Sequence, residues 1–298
     1  MKPFALLGVP GMWSHRNTLL PALQSLAQNG GWHCEVLTLP GHEPGECDLE
    51  LGRRSISAYR KYVLEELSVR AEIHRLIVVG HSMGGLLALM AAEAGLASAL
   101  ILLAPAAPKG ISTLSVSWPM TSLLLEVSLH QTKGGFSPWG KGFIPSEKLF
   151  GKLLANGLAP EIQRRVFEQL VPESVRALIE NLSAPGVALV TGRPFSTTHP
   201  RKVNLSSITC PVFIAVGTED KITPPSISKA ISRGLKNSAH KLLCVENACH
   251  WIFEENSWSS GSNESHNVCD KIVTWIQREV LSGGPPSQIP GSARSLDS

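Results

Sequence analysis

Leu76-Ile-Val-Val-Gly80-His-Ser82-Met-Gly84-Gly-Leu-Leu-Ala-Leu89 passes from a β-branched run to a helix-like run through one serine set between glycines. A backbone turn too tight for ordinary side chains accounts for this pattern. Gly80 before the serine and Gly84 after it leave room for the neighbouring strand and helix. The strand, tight turn and helix lift the Ser82 hydroxyl clear of the sheet. They also set the Met83 N–H at a helix N-terminus, where it can face a developing negative charge.

Outward from this stretch, short apolar runs alternate with helical patterns. Phe4–Val9, Cys34–Leu39, Leu76–Val79 and Ala99–Ala104 read as strands. Helical patterns lie between them near Thr18–Ala27, Ile56–Leu67 and Met83–Ala94. Such a succession predicts right-handed crossovers and a mostly parallel α/β sheet flanked by helices, its buried strands being continuous apolar runs. The rhythm breaks over 108–207, where Gly134-Gly135, Trp118, Trp139, several prolines and helical patterns at Pro160–Leu170 and Glu173–Leu182 appear. A strand is possible there at Val187–Val190. Strand signals return at Pro211–Gly217 and Lys241–Glu246, and a closing helix is expected over Val268–Val280. The expected organisation is a core of 1–107 and 208–281, an insertion of 108–207, and a tail of 282–298 with disordered composition.

The 298 residues carry a formal charge of only +3, with scattered basic side chains, so electrostatics gives nucleic-acid binding no support. Cys34, Cys47, Cys210, Cys244, Cys249 and Cys269 form no CxxC pair and no zinc-like spacing, and are expected as free thiols. Leu86–Ala104 is long and nearly free of charge, but Glu93 and Gly95 divide it into a helix and a buried strand rather than a membrane span. Met1–Val9 has too short an apolar run for a signal peptide and reads as a first strand, which leaves a cytoplasmic location as the expectation.

A serine hydroxyl needs a base to become a nucleophile. His250, in Val245-Glu-Asn-Ala-Cys-His-Trp251, follows the last expected strand and so emerges at the same sheet edge as Ser82. His81 reads as a turn residue whose side chain points away from Ser82. The base needs an orienting carboxylate, and Val216-Gly-Thr-Glu-Asp220-Lys-Ile-Thr-Pro-Pro225 offers Asp220 at that edge, with Glu219 as competitor. A second oxyanion donor is sought in Leu7-Gly-Val-Pro-Gly-Met12-Trp13. There Gly11 permits close approach and the Met12 N–H is the candidate, beside that of Met83. Trp13 and Leu124 are candidates for substrate contact, though Met12, Trp13 and Met83 also suit a plain core. Neither a cofactor nor a metal is implied: phosphate loop, dinucleotide fingerprint and metal cluster are all missing from the sequence.

With these residues together, the chain resembles the α/β-hydrolase superfamily, in its serine-hydrolase, esterase- and lipase-like branch with a helical cap. The likeness rests on Gly80-His-Ser82-Met-Gly84, Leu39-Pro-Gly-His42, Thr218-Glu-Asp220 and Cys249-His250-Trp251, and on the chain order Ser, Asp, His. It departs from the family in carrying Pro10-Gly11 where His-Gly is usual, and Cys249 where glycine is frequent. The resemblance implies six sheet strands, because the first strand here stands where the family has its third. It also implies cleavage of a small organic or lipid-like carboxylic ester through an acyl-enzyme. Thioester, lactone, carbon–carbon or perhydrolase chemistry on the same triad remains open, as does a ligand-binding module without catalysis.

Overall fold

The computed structural model describes residues 2–46, 48–111, 122–123, 125–127, 142–182, 200–254, 258 and 267–282. Its elements in chain order are β1 (Phe4–Val9), α1 (Arg16–Gly30), β2 (His33–Val36), α2 (Ile56–Ala71), β3 (Arg75–His81), α3 (Met83–Glu93) and β4 (Ala99–Leu103). There follow α4 (Glu147–Leu153), α5 (Pro160–Glu168), α6 (Val175–Leu182), β5 (Val212–Gly217), α7 (Pro225–Gly234), β6 (His240–Val245) and α8 (Val268–Trp275). All of the expected core strands form. The second is displaced, lying at His33–Val36 rather than Cys34–Leu39, and the chain then turns at Gly41 with φ +83°.

The six strands form one sheet of order β2-β1-β3-β4-β5-β6, with every neighbouring pair parallel. The chain steps from β1 to β2, then crosses back to place β3 on the other side of β1. From there it adds strands in one direction. The reversal between β1 and β3 opens a crevice beyond their carboxyl ends, where ligands bind in open α/β sheets. Helices cover both faces, so β4 and β5 are buried along their whole length. Helix α3 is buried from Met83 to Ala92, which explains its apolar sequence without a membrane. Among the described residues no helix is long and apolar enough to cross a bilayer. The five described cysteines are free thiols; Cys47 lies outside the described residues.

Between β4 and β5 the described part of the insertion holds α4, α5 and α6, with one two-residue antiparallel bridge between Phe143 and Glu173. Buried polar contacts tie it to the core. Trp13 donates through Nε1 to the Phe143 carbonyl at 2.8 Å, and its own carbonyl accepts from the Val171 N–H at 3.0 Å. Beside them Tyr59 donates to Glu173 Oε1 at 2.8 Å. His42 Nδ1 lies 3.0 Å from the Ser14 carbonyl, and its Nε2 is 3.4 Å from Glu173 Oε2. Burial pushes the His42 ring toward neutrality, but the Glu173 carboxylate and the Ser14 carbonyl outweigh it and hold its pKa above the ordinary histidine value. The His42 ring thus has an oxygen beside each nitrogen, the Ser14 carbonyl at Nδ1 and the Tyr59 hydroxyl 3.2 Å from Nε2.

The expected features at Trp118, Gly134-Gly135, Leu124 and Val187–Val190 lie outside the described residues, as does 283–298. The closing helix is α8, continued as a wider turn over Ile276–Leu281.

Candidate active site

Ser82 sits between β3 and α3 with φ 54° and ψ −120°, a conformation that costs an L-residue energy and persists only when its surroundings enforce it. Here they do. Its N–H donates to the Leu103 carbonyl at 3.0 Å, and its carbonyl accepts from Gly85 and Ala106 at 2.9 Å each. The two glycines are a steric requirement. A Cβ on Gly80 would lie 2.4 Å from the Gly84 carbonyl oxygen, and one on Gly84 would lie 2.0 Å from that of Val9. The turn therefore packs directly on the carboxyl end of β1.

That packing brings the β1 loop to the serine. A Cβ on Gly11 would fall 2.9 Å from Ser82 Cβ and 3.0 Å from His81 Nδ1, so only glycine lets this backbone lie so close. Met12 follows immediately. Met83 opens α3, and its N–H has no carbonyl one turn earlier to bond. Both residues are buried, and Met12 lines the same cavity as Ser82.

At the end of β5 the chain turns so that Asp220 is buried while Glu219 is exposed. Oδ1 of Asp220 accepts the backbone N–H groups of Ile222 and Thr223, each at 2.8 Å, and Oδ2 lies 2.8 Å from His250 Nδ1. Burial pushes the carboxyl pKa up. The neighbouring His250 ring and these N–H donors outweigh it and hold it below the ordinary carboxylate value. An ionised Asp220 accepts the Nδ1 proton of His250, so when the ring carries one proton its Nε2 is left with a free lone pair. The acid and histidine loops touch, since a Cβ on Gly217 would meet the Ala248 carbonyl oxygen at 2.1 Å. Ser82 and His250 line one cavity, together with Trp13 and residues of the insertion that include Leu123, Leu154 and Leu178.

Thr223 escapes the sequence reading. Its hydroxyl oxygen lies 2.9 Å from the Ala104 carbonyl, 2.9 Å from Asp220 Oδ2 and 3.2 Å from His250 Nδ1, so it braces the Asp220–His250 pair from a third side. His81 also does more than turn the chain. Its ring is buried and its Nε2 lies 3.1 Å from the His250 carbonyl, where it donates to the histidine loop from below. Burial, and next the His250 charge, push its pKa down to about 3, so it stays neutral. Leu124, the candidate in the insertion, lies outside the described residues; its neighbour Leu123 is buried and lines the cavity.

Solved structures with this fold cover nearly the whole chain. A monoacylglycerol lipase of Paleococcus ferrophilus is 22% identical with a TM-score of 0.60, over 92% of this chain and 95% of that one. A thermophilic esterase of Thermogutta terrifontis is 18% identical with a TM-score of 0.61, over 93% and 90%. MenH from S. aureus is 20% identical with a TM-score of 0.60, over 94% of each chain. At these identities the likeness establishes the fold. No curated protein sequence matches the chain. The family model described as the alpha/beta hydrolase family matches residues 6–257. A match over that much of its length makes this protein a member of the α/β-hydrolase family.

Proposed function

We propose that this protein is a serine hydrolase that cleaves a carboxylic ester, with Ser82 as nucleophile, His250 as base and Asp220 as its orienting acid. The observation that supports this most is the buried Asp220 Oδ2 to His250 Nδ1 contact of 2.8 Å, made at the rim of a cavity that Ser82 also lines. Ser82 Oγ attacks the ester carbonyl carbon while His250 Nε2 takes its proton. The charge that develops on the carbonyl oxygen falls to the Met12 and Met83 N–H groups. His250 then returns the proton to the leaving alcohol, which leaves an acyl group on Ser82. Water attacks that acyl group with His250 again as base, and the carboxylic acid departs. Asp220 keeps the imidazole in the right tautomer and stabilises it when protonated. Residues 108–207 act as a cap over this site, with Trp13 and Leu123 on the wall that faces the substrate.

The test is turnover of short p-nitrophenyl esters across pH. The base must be neutral to accept the serine proton, so kcat/KM should fall toward acid. A single limb is expected in the interval from about pH 5 to 8, where imidazoles change charge. His81, pushed down to about 3, contributes nothing to that limb, and Asp220 stays ionised through it. A flat profile across this interval from a folded, active protein would contradict a histidine base. An absence of turnover would contradict the esterase reading itself.

A further inference from the structure

The cavity beside Ser82 is walled mostly by apolar side chains; of its buried polar atoms, His81 Nδ1, Trp251 Nε1 and Asn181 Oδ1 have no hydrogen-bond partner among the described residues, and of these Asn181 Oδ1 alone is an amide acceptor. Thr223 and His250 bond within the acid–base cluster, and the free nitrogen of His81 lies against the Gly11 backbone. Asn181 differs. It comes from α6, lines the same cavity, and plays no part in that cluster. Its Nδ2 donates to the Met12 thioether at 3.5 Å, while its Oδ1 is buried without a partner among the described residues. The opposite amide orientation would set oxygen against sulfur, two acceptors, and would leave an N–H unpaired instead, so the carbonyl oxygen is the free end. A buried amide oxygen without a hydrogen bond is costly, and one that faces a cavity is poised to accept from whatever enters it.

We infer that Asn181 is a specificity-determining residue that accepts a hydrogen bond from a substrate hydroxyl, so the preferred substrates are hydroxyl-bearing esters. The inference rests on the serine-esterase reading of the same cavity. Asn181 touches Met12, the residue whose N–H would hold the ester oxygen. Asn181 and Ser82 line the same cavity, so the hydroxyl is sought on either the acyl or the alcohol side of the ester. An ester without the hydroxyl leaves Oδ1 unpaired and binds less well, because a pocket built to hydrogen-bond a group discriminates against analogues lacking it.

Two matched pairs test this: p-nitrophenyl 3-hydroxybutyrate against p-nitrophenyl butyrate, and glycerol 1-butyrate against propyl butyrate. In the wild type the hydroxyl member of at least one pair is expected to have the higher kcat/KM, by about tenfold to a hundredfold. Asn181→Leu, or Asn181→Ala if the larger side chain does not fold, should collapse that ratio toward one. Ratios near one in the folded wild type, or ratios unchanged in the folded variants, overturn the role of Asn181. Binding to Ser82→Ala, followed by tryptophan fluorescence, reads recognition without turnover. There the hydroxyl ester should bind more tightly, and the Asn181→Leu change should remove the difference. If the wild type hydrolyses none of the four esters, the esterase reading fails. Equal binding within both pairs would then overturn the hydroxyl preference as well.

Discussion

Ser82→Ala is expected to lower kcat for a p-nitrophenyl ester by about 10⁶-fold, as loss of the nucleophile does where serine, histidine and acid act as one unit. The fold should survive. The strained φ of 54° at this position is enforced by backbone bonds to Leu103, Gly85 and Ala106, and the Ser82 hydroxyl takes no part in them. Alanine can occupy that backbone as serine does, so thermal unfolding should change little. Steady-state kinetics beside a melting curve checks both halves. A folded variant within about tenfold of wild type would remove Ser82 from the mechanism, because the whole unit rests on it.

Asp220→Asn should cost less but still heavily, lowering kcat by about 10⁴-fold. Asparagine keeps the size of the side chain but changes what it offers His250. Asp220 Oδ2 accepts from Nδ1 at 2.8 Å, whereas an amide NH2 in that place would donate to Nδ1 and drive the proton to Nε2. The base would then hold its proton on the side facing the serine. The two backbone N–H groups of Ile222 and Thr223 bond Oδ1, and an amide oxygen satisfies them. The loss should therefore fall on kcat more than on stability. Titration of the variant by imidazole NMR should show the altered tautomer. If Asp220→Asn retains most of the wild-type rate, the carboxylate is not the orienting acid.

Much of this site was legible because its chemistry is tied to local geometry. Gly80, Ser82 and Gly84 are close in sequence, and the clashes that make the glycines necessary arise at one turn. Asp220 and His250 each follow a strand of the same parallel sheet, so their shared edge could be read from strand order alone. Asp220 over Glu219 was decided by which side chain the turn buries. What escaped depends on partners far apart in the chain. The Thr223 hydroxyl is defined by Ala104, and the Glu173 carboxylate by Tyr59 and His42. No periodicity encodes those pairings. Asn181 is visible in the sequence only as a polar residue near a helix end; its significance lies in the apolar wall around it. Helix α7 escaped for another reason. Pro224-Pro225 reads as a bend, yet proline suits the first turn of a helix, and α7 begins at Pro225.

Everything in the proposed mechanism turns on Ser82 as the nucleophile of a serine hydrolase. The most direct measurement is mass spectrometry of the folded wild-type protein after reaction with a fluorophosphonate, which traps an activated serine as a stable phosphonyl ester. One adduct is expected, on the peptide carrying Ser82, and it should be absent from the His250→Ala protein, where no base can take the proton. An adduct on a different serine, or a folded wild-type protein that remains unmodified, would contradict it.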